Sequence, residues 1–162
     1  MAKHLFLIII TCSFWLASFS QGIEGSFSYS KFMGPDGPFI ETCLAINGKS
    51  ITYKDAGEGK IQGTVEITLM CKQNDTIKYV DKYDLASPLL APSDTVKPSF
   101  VDQQRIVLPM GVYDLELSLA DKNILPPASP KTLSYHDVVA IDFPKDSLAF
   151  SDIQLVESFS KN

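Results

Sequence analysis

The sequence of 162 residues contains little of the material from which most catalytic or metal sites are built, with three cysteines and two histidines. No Cys-x-x-Cys pair and no Gly-x-Ser-x-Gly turn occur, which gives no support to thiol redox catalysis or to a serine hydrolase. No zinc-ligand spacing surrounds His136, and no Asp-x-Asp-x-Asp-Gly calcium loop is present. We therefore expect no catalytic residue, no cofactor and no metal ion, and not an enzyme.

The sequence also lacks an excess of basic residues. Lys and Arg number 14 against 19 Asp and Glu, for a formal net charge of -5. Because nucleic-acid binders usually carry a basic surface, this balance argues against a nucleic-acid partner. A hydrophobic fraction of 45% with 20% charged residues is typical of one packed globular domain rather than a disordered chain.

A long apolar run occurs only within the first twenty residues. Lys3 is followed by an apolar stretch over residues 5–16, and Ser18-Phe19-Ser20 then places small residues before Gln21. This is the pattern of a cleaved secretory signal peptide over residues 1–20. Polar residues at 11–13 interrupt the run, which falls short of the ~20 apolar residues of a spanning helix. We therefore expect an exported protein of the periplasm, cell surface or extracellular space, without a transmembrane segment after cleavage.

Helical periodicity is absent after this leader, and the dominant period is two. In residues 64–71 and 112–119 apolar side chains alternate with polar ones, which predicts half-buried antiparallel strands. Weaker alternation occurs at 26–32, 39–46, 76–83, 100–108 and 131–141. We predict an all-β antiparallel sandwich of seven to eight strands over residues 21–145.

Turn residues separate these segments. Asn47-Gly48 favours a type I′ hairpin between a strand ending at Ile46 and another over residues 50–53. Gln73-Asn74-Asp75 predicts a further turn. The proline-containing stretch 87–98 has the length of a connection between sheets, and residues 124–130 are expected to form an exposed loop.

The segment Leu108-Pro109-Met110-Gly111-Val112-Tyr113 places a Pro-x-Gly turn directly before a strand that begins near Tyr113. It resembles the tyrosine corner of immunoglobulin-like and fibronectin-III-like domains. The resemblance implies that the Tyr113 hydroxyl returns to a nearby backbone group while its ring packs on the core. Since no tryptophan remains after cleavage, the likeness is to a bacterial-type module rather than to an antibody domain.

The C-terminal residues 146–162 contain another alternating run, around residues 150–156. This run predicts either an edge strand of the same sandwich or the start of a following segment. The layout of leader, one Ig-like domain and such a segment resembles the N-terminal part of uncharacterised Gram-negative exported proteins.

The two cysteines after the leader fall on opposite strand faces. Cys43 shares the face of Glu41, whereas Cys71 shares that of Leu69. An exported protein permits a disulfide, but the bond needs Cβ atoms about 3.5–4.5 Å apart, which side chains on opposite faces rarely reach. The position of the two cysteines on opposite strand faces therefore favours free thiols, and a Cys43–Cys71 disulfide is the alternative.

Two tyrosines, Tyr79 and Tyr83, share one side of their strand and are the candidate ligand-facing aromatics. The carboxylates of Asp114 and Glu116 share an outward face, which suits a solvated sheet better than a catalytic pair. We predict a non-catalytic exported module that mediates protein contacts or spacing in a cell-envelope assembly, with a strand edge as contact surface. A carbohydrate-binding module that uses the two tyrosines is the alternative, and an unrecognised hydrolase comes third.

Overall fold

The computed structural model describes residues 22–125, 130–144 and 150–153, in which every regular element is a strand. The expected leader 1–20, part of the expected loop 124–130 and most of segment 146–162 lie outside the described residues. The strands in chain order are β1 (Gly25–Gly34), β2 (Gly37–Ile46), β3 (Tyr53–Gly57), β4 (Lys60–Gln73), β5 (Thr76–Ala86), β6 (Phe100–Val107), β7 (Gly111–Asp121) and β8 (Thr132–Ile141).

These strands form two antiparallel sheets, which confirms the predicted all-β fold. The first sheet has the order β1-β2-β6. In the second, β4 pairs with β7 on one side and with β5 on the other, β8 follows β7, and the short β3 pairs with the first residues of β4. The long edge strands are therefore β1 and β6 in one sheet and β5 and β8 in the other, and the five-residue β3 forms a further, short edge.

The core lies between the inner faces of the two sheets. Because successive side chains of a strand point to opposite faces, β4 and β7 each contribute every second residue to it. The fully buried positions come from both sheets; among them are Ile40, Ile46, Ile67, Ile106, Leu115, Leu119 and Ile141. Burying one such aliphatic side chain contributes about 1.5–3 kcal/mol to stability.

The predicted hairpin at Asn47-Gly48 is wrong. β2 pairs with β1 and β6, and the chain after Ile46 crosses to the other sheet to begin β3. Asn47 instead accepts the Lys49 N–H on its side-chain oxygen at 3.1 Å, and its own N–H donates to the Glu24 carbonyl. The absence of a side chain at Gly48 matters because the backbone carbonyl of Pro98 lies where a Cβ atom would be.

The turn with positive φ at two successive non-glycine residues is the one between β4 and β5. Asn74 and Asp75 have φ of 49° and 59°, the left-handed pair that a type I′ hairpin requires. The turn expected over residues 73–75 is therefore confirmed. The stretch after β5 also behaves as expected, because it carries the chain from the second sheet back to β6 in the first.

Tyr113 lies at the start of β7 and is 1% exposed. Its hydroxyl donates a hydrogen bond of 2.7 Å to the backbone carbonyl of Pro109, four residues earlier. Burial raises the pKa of this phenol. The bond anchors the turn between β6 and β7 to the core.

A buried polar cluster closes the end of the sandwich where β7 stops. The Asp121 carboxylate accepts the backbone N–H of Thr52 at 2.7 Å and that of Asn123 at 2.9 Å. The Asn123 amide in turn donates to the carbonyls of Thr52 and Gln62. Asp121 therefore supplies an acceptor to one backbone N–H of the β2–β3 crossover, at Thr52, and to one after β7, at Asn123.

Candidate functional site

The two candidate aromatics lie on the inner side of β5. Tyr79 and Tyr83 are each half-buried and pack against the hydrophobic core. The Tyr83 hydroxyl donates to the Asp102 carboxylate of β6 at 2.5 Å, which links the edges of the two sheets. Burial, followed by this carboxylate, raises the pKa of Tyr83, and burial also raises that of Tyr79. This placement leaves little open ring face on which a sugar could stack.

The polar residues of the outer face of the second sheet are paired with neighbours across the strands. Glu116 forms an ion pair of 2.8 Å with Lys72, and Asp114 lies 3.9 Å from the exposed His136. A shallow depression of about 310 Å³ lies beside these groups, with Thr68 and Ser118 in its lining. Among the described residues no group of three or more His, Cys, Asp or Glu side chains is arranged to hold a metal ion.

Both described cysteines are free thiols. Cys43 is half-buried on the outer face of the first sheet, whereas Cys71 is buried in the core. Desolvation raises the pKa of Cys71 to about 11, so this thiol is held in its unreactive neutral form.

The strand edges differ from one another in how their backbone groups are covered. On β1, the N–H of Lys31 donates to the Asp152 carboxylate at 2.8 Å and that of Met33 donates to the Ser151 hydroxyl at 3.1 Å. The Asp152 N–H also donates to the Lys31 carbonyl at 2.9 Å. Residues of the C-terminal segment thus occupy part of the β1 edge.

On β8, the carboxylate of Asp137 occupies one of the outward amides. One oxygen accepts the backbone N–H of Val138 at 2.8 Å, and the other accepts the hydroxyls of Tyr29 and Tyr135, each at 3.0 Å. These donors, the Val138 amide first, lower the pKa of Asp137. Burial and the same carboxylate raise the pKa of Tyr29 to about 12. One side chain therefore occupies an edge amide and joins β8 to β1.

On β5, charged side chains flank the edge. Ser87 donates its backbone N–H to the Gly63 carbonyl of β4. Along residues 79–86 the backbone N–H and C=O groups of odd-numbered residues therefore point toward β4, and those of even-numbered residues point outward. Two of these outward positions are Lys82 and Asp84, which pair with Glu66 at 2.9 Å and with Lys122 at 2.6 Å. Charges placed along an edge are a common protection against pairing with another chain.

On β6, the edge has no such cap and carries a single charged side chain, Arg105, at its outer positions. Leu108 donates its N–H to the Pro38 carbonyl of β2, so the even-numbered residues of this strand face β2. The N–H and C=O groups of its odd-numbered residues therefore point away from the sheet. Within the described ranges no side chain bonds to these backbone groups. The outer side chains at the two ends, Val101 and Val107, are 67% and 62% exposed.

The one cation of β6 is turned away from this edge. Arg105 reaches back over β2, where its guanidinium donates to Glu41 at 2.6 Å and 3.1 Å. The same group lies 4.4 Å above the ring of Phe39. Arg105 therefore neutralises Glu41 within its own sheet, as Lys82 of β5 does with Glu66, and it is the one charged side chain at the outer positions of β6.

The residues that distinguish the four edges have little local signature in the sequence. Asp137 and Asp152 act on strands that are far away along the chain, and nothing in their neighbours predicts those contacts. Arg105 and Glu41 are opposite each other only once the register of β2 and β6 is known. The alternation of β6 does place Val101 and Val107 on one face, which is the only available signal.

No family model matches this chain, and neither the curated proteins nor the solved structures contain a significant match. Among the described residues, no helix has the length and apolar character needed to cross a membrane.

Proposed function

We propose that this protein is a non-catalytic exported module that binds an extended segment of another polypeptide at the edge of β6. The observation that carries this proposal is the β6 edge itself. It combines outward-facing backbone groups with two exposed valines, while β1 and β8 have edge amides bonded by side chains. The edge of β5 has three charged side chains, Lys78, Lys82 and Asp84, at its outer positions, whereas that of β6 has one, Arg105. An exposed strand edge of this kind can be extended by a strand from a partner.

The fold type we propose is immunoglobulin-like or fibronectin-III-like. Two features support it. The neighbour order β1-β2-β6 corresponds to strands A, B and E of that superfamily and β4-β7-β8 to strands C, F and G, while β3 and β5 are additional to this match. The hydrogen bond from Tyr113 to Pro109 has the position of its tyrosine corner. Domains of this architecture serve many functions, so the function is argued from the edge and not from the fold.

The experiment is a selection of phage-displayed extended peptides on the full chain, with the variant Gln103→Pro as the counter-target. Gln103 directs its backbone N–H to the free edge, so proline removes an edge donor without removing a backbone bond to β2. Proline also removes the exposed 3.4 Å bond from the Gln103 side-chain amide to Glu41, as Lys82→Pro removes the Lys82–Glu66 ion pair. Lys82→Pro is the matched control, because it removes an outward N–H from the β5 edge instead.

We expect enriched peptides with alternating apolar residues that bind the parent chain and Lys82→Pro alike. Binding to Gln103→Pro is expected to fall at least tenfold. On peptide binding, the amides of Val101, Gln103, Arg105 and Val107 are expected to become protected from hydrogen exchange. Peptides that bind all three proteins equally, or an absence of enrichment, would contradict the assignment of β6 as the binding edge.

A further inference from the structure

The edge of β6 is complementary to itself, and we propose that its partner is a second copy of this chain. The inference rests on the function proposed above and names the partner of the same edge. When two β6 strands lie antiparallel, Val101 of one copy is opposite Val107 of the second, and Gln103 is opposite Arg105. Each copy thus places an exposed valine against an exposed valine at both ends of the strand pair.

The directions of the backbone groups restrict the possible registers. Hydrogen bonds form only when odd-numbered residues of the two strands are opposite each other, so alternative registers differ by steps of two residues. A shift one way places Arg105 opposite Arg105 of the second copy, which is unfavourable because like charges repel. A shift the other way places Val101 opposite Arg105 and leaves Val107 without an apolar neighbour. The register with two valine pairs is therefore favoured.

The same register continues an apolar row across both copies. Phe32 and Phe39 stack at 5.4 Å on the outer face of the first sheet, and Phe39 is in register with Val107 of β6. In the pair of copies, Val107 meets Val101 of the second copy, whose neighbour on β2 is Ala45. The two three-stranded sheets thereby form one continuous sheet of β1-β2-β6 and its two-fold mate.

Charge sets the conditions under which such a pair forms. The positive charge of Arg105 is neutralised by Glu41 in each copy, at 2.6 Å, so the edge itself contributes little repulsion. The formal net charge of -5 on each chain opposes association at longer range. Because salt screens exposed charges, the fraction of dimer is expected to increase with ionic strength.

The experiment is disulfide trapping between two variants that each add one cysteine, Val101→Cys and Val107→Cys, in a background with Cys12→Ser and Cys43→Ser, in which Cys71 stays buried in the core. Directly opposed residues in a hydrogen-bonded antiparallel pair have Cα atoms about 5.5 Å apart, which suits a disulfide. Under mild oxidation an equimolar mixture of the two variants is expected to yield a covalent heterodimer. Either variant alone is expected to yield none, because two copies of position 101 lie at opposite ends of the strand pair.

Sedimentation of the parent chain at micromolar to millimolar concentration gives an independent readout. We expect a concentration-dependent dimer that is lost in Gln103→Pro and retained in Lys82→Pro. Equal trapping in the single variants, or a monomer at every concentration and salt with no trapping in the mixture, overturns the self-association. Peptide binding at β6 by a chain that stays monomeric overturns only this inference and leaves the proposed function standing. If neither peptide binding at β6 nor self-association is observed, both the proposed function and this inference are rejected.

Discussion

The hydrogen bond of Tyr113 allows a sharp test of what holds the β6–β7 turn. Tyr113→Phe keeps the ring in the core and removes only the hydroxyl that donates to Pro109 at 2.7 Å. A buried hydrogen bond contributes about 0.5–1.5 kcal/mol net, and leaving its partner unpaired costs about 1–3 kcal/mol. Pro109 is exposed, so water reaches its carbonyl in part. We therefore expect a loss of about 1–2 kcal/mol in the free energy of unfolding.

The measurement is equilibrium urea unfolding followed by circular dichroism. With a slope of about 2 kcal/mol/M, the expected loss lowers the urea midpoint by roughly 0.5–1 M, with no change in slope. Tyr135→Phe is the matched control. Its hydroxyl shares the Asp137 carboxylate with Tyr29 and Val138, so this acceptor keeps two donors. We expect the control to cost less than about 0.5 kcal/mol.

Two results would refute this reasoning. An unchanged midpoint in Tyr113→Phe would mean that the hydroxyl bond to Pro109 adds nothing to stability. An equal loss in both variants would mean that hydroxyl removal acts through a general effect and not through the turn.

Four further predictions concern buried and edge groups. Because the pKa of Asp137 is lowered in the fold, its stabilisation is present above the ordinary value of 3.8 and lost as pH falls through the folded pKa, so Asp137→Asn is expected to flatten acid unfolding curves. The phenol of Tyr29 has its pKa raised from 10.0 to about 12, so its contribution is present below pH 10.0 and lost as pH rises through about 12, a loss that Tyr29→Phe removes in alkaline unfolding curves. A thiol reagent is expected to label Cys43 in the folded chain, and to label Cys71 only after unfolding, as peptide mass mapping will show. Asp121→Ala leaves two backbone N–H groups without their acceptor, and its cost in urea unfolding is expected to be about 2–5 kcal/mol.

The parts of the fold that the sequence predicts are those set by period-two burial. Residues 64–71 and 112–119 alternate cleanly because each strand has one face on the core and one in solvent, and they fall within β4 and β7. The same parity places Cys43 outward and Cys71 inward, as the structure has them. Burial on one face is a local property of a strand, so local pattern suffices to predict it.

The parts that could not be predicted depend on contacts between distant segments. Asn47-Gly48 has the composition of a hairpin, but Glu24 and the backbone of Pro98 hold that segment in a crossover between the sheets. The cover on each strand edge is of the same kind. The Asp137 carboxylate meets Tyr29 and the Asp152 carboxylate meets Lys31 only because the folded chain brings β1 beside both.

The cover on β1 has a consequence for how far assembly can proceed. A sheet with two open edges can recruit a neighbour on each side and polymerise into a fibre. Here Asp152 and Ser151 occupy amides at the β1 end of the first sheet, so if copies pair through β6 as proposed, growth through that sheet stops at β1. Because the Asp152 backbone N–H also donates to the Lys31 carbonyl, substitution of the two side chains leaves one bond on this edge, and only removal of the segment that holds them would open it.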